Sequence, residues 1–317
     1  MSISKKPISD QVIVITGASS GIGLATALAA AKQGASLVLA ARSTETLNRL
    51  VSYITADGGK AIAETVDVGV RADMDRLAET AIRQYGCIDT WINNAGLGAF
   101  GRLDEVPDAD SQRLFQTNFW GVVFGSLAAL PHLRESGGTL INLGSEVSDA
   151  VVPLQSMYSA SKHAVKGFTD GLRLELEADN SPVSVTLVQP TAVDTPYPDH
   201  AANYLSQEPK LPTPMIDPEK VASAILEAAE SPEDSVKVGA GSVINTTMAK
   251  LFPAIGEEIA KMQIGRQQRN EPPQHVRQGT LYEAGERVSG SGHIHGRGNE
   301  NAANRKEARD SNLRKAA

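Results

Sequence analysis

Short apolar runs alternate with longer segments of helical periodicity along most of the chain. Continuous runs of β-branched and aliphatic residues, such as VIVI at residues 12–15, are typical of strands buried on both faces. Such runs predict strands at residues 12–15, 36–40, 61–66, 90–93, 139–144, 183–188 and 236–239. Helical periodicity predicts helices between them, among them residues 44–56, 108–133, 156–178 and 218–230.

A glycine-rich segment, TGASSGIG at residues 16–23, joins the first predicted strand to the alanine-rich helix LATALAAAKQ. This order aims a helix N-terminus and free backbone N–H groups at a phosphate, and glycine lets the backbone approach a pyrophosphate closely. The segment opens a βαβ unit, and no Lys-Ser/Thr pair follows its last glycine, which disfavours a P-loop NTPase. It therefore predicts a dinucleotide site.

The second predicted strand ends at Ala41 and Arg42. About twenty residues past such a loop, NAD-binding folds usually place an acidic residue on the ribose 2′-hydroxyl. This chain has no carboxylate there, and a guanidinium can pair with a 2′-phosphate. The pair favours NADP over NAD, although Arg42 is also consistent with an ordinary exposed residue at a strand end.

Polar residues follow the third and fourth predicted strands. Asp67 could accept a hydrogen bond from an adenine amino group, or cap the N-terminus of the next helix. The fourth strand leads into a tight turn, Asn93, Asn94, Ala95 and Gly96, whose amides and glycine suit irregular backbone beside a ligand.

Candidate chemistry centres on Ser145, Tyr158 and Lys162. Ser145 follows the strand at 139–144, whereas Tyr158 and Lys162 stand four residues apart in the helix 156–178 and so leave the same face. A phenol, with a pKa near 10, is a poor acid–base catalyst at neutral pH unless a positive charge favours the phenolate, and Lys162 is placed to supply it. In isolation, Tyr158 and Lys162 would be ordinary residues of an amphipathic helix. The strand-end serine and the glycine loop favour the catalytic interpretation.

Composition narrows the class of protein. The chain has 317 residues, 41% of them hydrophobic and 4% aromatic, which predicts a sizeable aliphatic core in one large α/β domain with an appendage or in two small domains. A net charge of −7 argues against a nucleic-acid partner for the folded part. The single Cys87 excludes an intrachain disulfide and a cysteine-based metal cluster. Without an apolar leader or a run long enough for a transmembrane segment, we expect a soluble cytoplasmic protein.

The ordered motifs TGASSGIG, NNAG, Asn118, Ser145 and Tyr158-x-x-x-Lys162 resemble those of the short-chain dehydrogenase/reductase family. The resemblance covers roughly residues 10–240. It implies an α/β fold with a doubly wound, Rossmann-like parallel sheet of seven strands and helices on both faces. It also implies a nicotinamide cofactor, hydride transfer, and a homo-oligomer, dimer or tetramer, associating through helices that include 156–178.

Residue roles follow from the resemblance by position. Tyr158 is the proton donor and acceptor, Lys162 lowers its pKa and holds the nicotinamide ribose, and Ser145 positions the carbonyl oxygen. Asn118, which lies among the core-like residues Phe115, Phe119 and Trp120 and needs a partner or a water, holds a water of a proton relay. The predicted cofactor-binding residues are Gly17, Ser19, Ser20, Gly21, Ile22, Gly23, Arg42, Asp67, Val68, Asn94, Ala95, Gly96, Tyr158, Lys162, Pro190, Val193 and Thr195.

Two residues depart from the family pattern. Thr191 follows Pro190 where the family has glycine, and Glu146 follows Ser145 where small neutral residues are common. An acid beside the serine is expected to affect substrate choice. The polar stretch from Thr195 to Pro218 has the length of a lid over a substrate, and equally that of a plain surface loop.

The C-terminal part changes in composition. We expect an N-terminal arm at residues 1–9, the dehydrogenase domain at 10–255 and an extension at 256–317, largely disordered past about residue 287 because large apolar residues are few there. The extension is basic and could touch an acidic partner, its own domain or RNA, or have no defined role. His293 and His295 could bind a metal weakly, but no metal site is predicted.

The sequence thus predicts an NADP-dependent oxidoreductase that transfers a hydride between the nicotinamide and a small-molecule carbonyl or alcohol. The alternative is a non-catalytic NADP-sensing or scaffold protein on the same fold, against which the intact Ser145, Tyr158 and Lys162 count. The substrate and the direction of reaction stay open, because one fold serves many substrates.

Overall fold

The computed structural model describes residues 5–285 and 292–297 of the chain. Within them, a parallel sheet of seven strands forms the centre of the molecule, which confirms the predicted fold class. The strands are β1 (Val12–Thr16), β2 (Ser36–Ala41), β3 (Lys60–Thr65), β4 (Thr90–Asn93), β5 (Thr139–Leu143), β6 (Ser184–Pro190) and β7 (Ser235–Val238). Their ends lie within two residues of the predicted ones, and β4 has the predicted bounds.

The strand order fixes where a ligand can bind. The strands lie in the order β3-β2-β1-β4-β5-β6-β7, and all neighbours are parallel. The chain adds β2 and β3 on one side of β1 and then returns to add β4 on the other side. In such sheets a crevice opens at the carboxyl ends of the strands where the order reverses, here between β1 and β4.

Helices cover both faces of this sheet. The helices of the described residues are α1 (Gly21–Lys32), α2 (Thr44–Ala56), α3 (Arg71–Tyr85), α4 (Asp108–Phe115), α5 (Gly121–Ser136), α6 (Ser156–Ala178), α7 (Tyr197–His200), α8 (Pro218–Glu230), α9 (Ala240–Leu251) and α10 (Pro253–Met262). Successive residues of β1 point to opposite faces: Ile13 and Ile15 belong to the apolar cluster that includes Ile225 of α8, and Val14 belongs to the one that includes Leu77 of α3. Both faces of β1 are therefore buried, as its unbroken apolar run predicts.

One predicted helix is interrupted. The segment 108–133 was expected to be a single helix, but the π-helical turn Gln116–Trp120 separates α4 from α5. A π-turn accommodates one extra residue and often marks a functional site. Asn118 lies in the middle of it.

The segment after β6 is tied to the segment after β4. Two short parallel strands, Ala99–Phe100 and Ala202–Asn203, pair with each other outside the main sheet. The pairing holds α7 beside the carboxyl end of the sheet. Helix α10 runs through residue 255, where the sequence predicted the domain to end. Among the described residues, no helix has both the length and the apolar character needed to cross a membrane.

Candidate active site

The glycine loop after β1 is fixed against the turn after β4. Asn94 donates from Nδ2 to the carbonyl oxygens of Thr16 at 2.9 Å and Gly17 at 3.2 Å. Gly17 has a φ of +68°, and a Cβ there would lie 2.8 Å from the Cα of Ala95. A Cβ on Gly23 would lie 2.2 Å from the Gly17 carbonyl oxygen. Only glycine at both positions lets the loop, the turn and the start of α1 approach this closely.

β5 and α6 bring Ser145, Tyr158 and Lys162 together. Ser145 caps the 3₁₀ turn Glu146–Ser148, which follows β5. Tyr158 and Lys162 lie near the start of α6, with the Lys162 Nζ 5.7 Å from the centre of the Tyr158 ring. The same Nζ donates to the carbonyl oxygen of Leu143, the last residue of β5, at 2.7 Å. The lysine thus fixes the position of the helix against the strand.

Burial dominates the ionisation of these side chains. It raises the pKa of Tyr158 to about 12, although a hydrogen bond with Ser145 acts in the opposite direction. It lowers the pKa of Lys162 to about 8. The sequence predicted a lowered pKa for Tyr158. The structure has the opposite direction, because desolvation of the phenolate outweighs the favourable contacts.

Asn118 holds the backbone beside this group. Its Oδ1 accepts from the Leu97 N–H at 2.7 Å, and its Nδ2 donates to the Leu97 carbonyl oxygen at 2.9 Å and to the Ser161 Oγ at 3.1 Å. The amide is fully buried, and these three hydrogen bonds supply the partners that a buried amide needs. Its expected part in a water relay stays a prediction.

One cavity of about 270 Å³ connects the glycine loop with Ser145 and Tyr158. Most residues predicted for the site line it: Gly17, Ser19, Ser20, Gly21, Ile22, Arg42, Asp67, Val68, Asn94, Ala95, Gly96, Ser145, Tyr158, Lys162, Pro190, Val193 and Thr195. Gly23 and Asn118 lie outside the lining and act on it through the contacts described above.

The C-terminal extension covers the end of the cavity beside β2. Arg42 donates to the carbonyl oxygens of Thr280 and of Leu281, and Arg113 donates from Nε to the latter at 2.9 Å. Arg113 also pairs with Asp67. Arg42, Arg113 and Asp67 therefore lie together at the end of the cavity where the sequence predicts a 2′-phosphate.

Asp67 does not cap the next helix, which was one of its two predicted roles. The N-cap of α3 is Val70, three residues further on. The Oδ1 of Asp67 instead accepts from the Gly69 N–H at 2.9 Å, which closes a local turn. Its predicted contact with an adenine amino group stays a prediction.

A short part of the extension lies on the glycine loop. Gly292 donates to the Ser19 carbonyl oxygen at 3.0 Å, and the Gly21 N–H donates to the His293 carbonyl oxygen at 2.9 Å. Ile294 packs against the apolar cluster under α1. The predicted disorder past about residue 287 is therefore wrong for residues 292–297. The rest of that segment lies outside the described residues.

The two departures from the family pattern contact each other. Glu146 accepts with Oε2 from the Thr191 hydroxyl and from the Asn245 side chain, both at 2.9 Å. Burial raises the pKa of Glu146, and the two hydrogen bonds lower it. Because Glu146 and Thr191 also line the cavity, the carboxyl group forms part of the wall beside Ser145.

Sequence reasoning missed two residues that position the phenol. The ring of Tyr197 lies 5.4 Å from that of Tyr158, and its hydroxyl donates to the Gln155 Oε1 at 2.9 Å. Gln155 in turn donates to Gln267 of the extension at 2.7 Å. An aromatic residue two positions after Thr195, in an otherwise polar segment, was the available signal for Tyr197.

Comparison with known proteins places this geometry in context. The sequence profile of the short chain dehydrogenase family matches residues 11–203. An uncharacterized oxidoreductase of Bacillus subtilis, YxnA, is 44% identical over 284 residues, which cover 88% of this chain and 80% of that protein.

Two solved structures are similar in fold. A short-chain dehydrogenase/reductase from Burkholderia phymatum in complex with NAD has a TM-score of 0.68 at 26% identity, covering 84% of this chain and 98% of that one. An alcohol dehydrogenase from the archaeon Thermococcus sibiricus, complexed with 5-hydroxy-NADP, has a TM-score of 0.64 at 26% identity. The match covers 72% of this chain and 95% of that one. These relatives bind different forms of the dinucleotide.

Proposed function

Because the chain belongs to the short-chain dehydrogenase/reductase family, we propose that it transfers a hydride between NADP and a carbonyl or alcohol substrate, with Tyr158 as general acid/base. The observation that carries the proposal is the cavity that joins the glycine loop to Ser145, Tyr158 and Lys162. A dinucleotide along this cavity would have its phosphates at the N-terminus of α1 and its reactive end at the phenol.

Each residue of the site has a separate role in the proposed reaction. The coenzyme supplies the hydride during reduction and takes it up during oxidation. Ser145 and Tyr158 offer hydroxyl groups to the substrate oxygen, and Tyr158 delivers the proton as charge develops there. With a pKa of about 12 the phenol is protonated at neutral pH, as a proton donor must be. Lys162, held by the Leu143 carbonyl oxygen, keeps positive charge near the phenol.

Three features of the cavity support NADP as the coenzyme. Ala41 and Arg42 line its end beside β2, so no carboxylate of that strand faces a 2′-phosphate. Asp67, whose carboxylate also lines the cavity, is paired with Arg113. The guanidinium of Arg42 is already directed at oxygen atoms, the carbonyls of Thr280 and Leu281, which a phosphate would replace with stronger charge-assisted acceptors.

Exposed apolar residues support association through the helices of one face. Leu127 of α5 is 40% exposed and Leu174 of α6 is 57% exposed. We propose that these helices form the contact of a homo-oligomer. Static light scattering would give twice or four times the mass of one chain, and the mass of a single chain would contradict the proposal.

The proposed function is tested with a panel of carbonyls and alcohols and both coenzymes, following the nicotinamide absorbance. We expect turnover with NADPH or NADP on at least one substrate class, and none in a Ser145→Ala, Tyr158→Phe double variant that still binds coenzyme. Binding of coenzyme without turnover across the panel would instead favour a sensing or scaffold role.

A further inference from the structure

Three ionisable side chains lie close together at α7, and none of them lines the cavity described above. Asp199 lies in α7, Glu208 in the loop that follows, and His275 in the C-terminal extension. One ligand atom of each lies within 4.8 Å of the other two. The His275 Nε2 is 3.8 Å from the Asp199 Oδ1 and 3.8 Å from the Glu208 Oε1. We call these residues the carboxylate–histidine cluster.

The spacing within the cluster is too long for hydrogen bonds, whose donor and acceptor atoms lie about 2.7–3.2 Å apart. Glu208 is 2% exposed, and its Oε1 is among the buried side-chain atoms that have no hydrogen-bond partner in the described part of the chain. Its other oxygen accepts from the Gln274 N–H at 2.7 Å. A buried carboxylate oxygen with no donor is unfavourable and calls for a partner such as an ion.

The same spacing suits a metal ion. An ion equidistant from three atoms at these separations would lie roughly 2.2–2.5 Å from each, within or just above the range of protein metal–ligand bonds. One imidazole and two carboxylates favour zinc or manganese over magnesium and calcium, which prefer all-oxygen sites.

Arg297 lies beside the carboxylate–histidine cluster. Its Nη2 is 3.4 Å from the His275 Nε2, and its Nε is 3.6 Å from the Asp199 Oδ1. The guanidinium supplies part of the positive charge that the two carboxylates require, so it competes with a bound cation.

We propose that Asp199, Glu208 and His275 bind one divalent first-row metal ion, with Zn²⁺ and Mn²⁺ as the expected occupants. None of the three lines the cavity, so the ion would serve a structural role. It would link α7, which carries Tyr197 beside the phenol, to the extension whose carbonyl oxygens at Thr280 and Leu281 face Arg42.

The test uses the full-length protein after treatment with a chelator and buffer exchange. Titration with Zn²⁺ and, separately, Mn²⁺ is followed by calorimetry, by bound metal per chain and by the midpoint of thermal unfolding. We expect one ion per chain and a midpoint that rises with the concentration of free metal, because binding to the folded state stabilises it.

Variants assign the ion to the cluster. His275→Gln and Glu208→Gln should each weaken binding at least about tenfold, since even the loss of a residue that only supports a metal ligand typically costs about 10–100-fold in affinity. His295→Gln is the matched control, since His295 belongs to the same extension and contacts Glu219, a carboxylate outside the cluster, at 2.9 Å. Arg297→Gln should tighten metal binding, because it removes the competing cation and keeps all three proposed ligands.

The proposal is overturned if the unmodified protein takes up no stoichiometric metal and Arg297→Gln takes up none either. It is also overturned if His275→Gln binds as tightly as the His295→Gln control, because the ion would then lie elsewhere. Neither outcome depends on turnover, so the proposed enzymatic function is tested separately.

Discussion

Burial acts in opposite directions on the two ionisable side chains of α6. It raises the pKa of Tyr158 to about 12 and lowers that of Lys162 to about 8. At neutral pH the phenol keeps its proton and the ammonium keeps its charge. Of the two groups, Lys162 therefore changes charge first as the pH rises, and the electrostatic support for a developing alkoxide changes with it.

We expect kcat/KM for carbonyl reduction to fall as the pH rises through about 8, because Lys162 then loses its proton and its positive charge. Tyr158, still protonated there, should not limit the rate. In Lys162→Arg the cation does not titrate, so the decline should disappear from this range. Initial rates of NADPH oxidation in a pH series check both profiles. A decline at the same pH in Lys162→Arg would contradict the role given to Lys162.

Arg42→Ala should raise the dissociation constant of NADPH about tenfold to a hundredfold and leave that of NADH nearly unchanged, because a charge-assisted hydrogen bond contributes about 1.5–3 kcal/mol. Fluorescence titration of both coenzymes at two salt concentrations measures this, and added salt should weaken NADPH binding in the unmodified protein. Tighter binding of NADH than of NADPH by the unmodified protein would contradict the assignment.

Some residue-scale features cannot be read from a sequence. Glu146 and Thr191 are visible as separate departures from a family pattern, but their hydrogen bond joins positions 45 residues apart. The pKa of Tyr158 was predicted in the wrong direction for a similar reason. The spacing of Tyr158 and Lys162 indicates a neighbouring charge, whereas the depth of burial depends on residues such as Tyr197 that lie far along the chain.

At the scale of elements, the π-turn Gln116–Trp120 places Asn118 against the segment that follows β4. Its amide pairs with both the N–H and the carbonyl oxygen of Leu97, as a neighbouring strand would. Apolar periodicity predicted one helix here, because a single extra residue barely disturbs the pattern over the segment 108–133. The buried amide of Asn118 nevertheless lies within the π-turn that interrupts this helix.

Asn118→Ala should lower the free energy of unfolding by roughly 1–3 kcal/mol, since it leaves buried backbone groups of Leu97 without partners. Chemical denaturation measures the change. Gln112→Ala, an exposed position in α4, is the control and should change it by less than about 0.5 kcal/mol. Equal effects of the two substitutions would contradict the role of Asn118 in holding the turn after β4.

Strands and helices around the sheet could be predicted because burial sorts their residues into apolar runs and stripes. Helices α9 and α10 were not among the predicted helices, and they leave Ile244, Leu251 and Ile255 exposed.

At the scale of the whole molecule, the extension returns to the coenzyme side of the domain. Composition predicted disorder past about residue 287, because side chains that could form a core are few there. Residues 292–297 are held by two backbone hydrogen bonds to Ser19 and Gly21, which any sequence can make, and by contacts of single side chains such as Ile294 and His295. Such contacts leave no pattern of hydrophobic residues to detect.

Deleting residues 288–317 should lower the midpoint of thermal unfolding by about 2–4 °C, corresponding to roughly 1 kcal/mol of lost contacts. It should also tighten coenzyme binding, because the Gly21 N–H at the start of α1 is freed from the His293 carbonyl oxygen. Deleting only residues 298–317 is the control and should alter neither quantity. Weaker coenzyme binding after the longer deletion would contradict competition at Gly21.

Tyr158 is proposed to transfer the proton in a hydride-transfer reaction. The most direct measurement compares turnover and coenzyme affinity of Tyr158→Phe with those of the unmodified protein, using Tyr53→Phe in α2 as the matched control. Loss of a general acid should reduce kcat by about a hundredfold or more, whereas the dissociation constant of NADPH should stay within about threefold. Turnover of Tyr158→Phe close to that of the control would contradict the account.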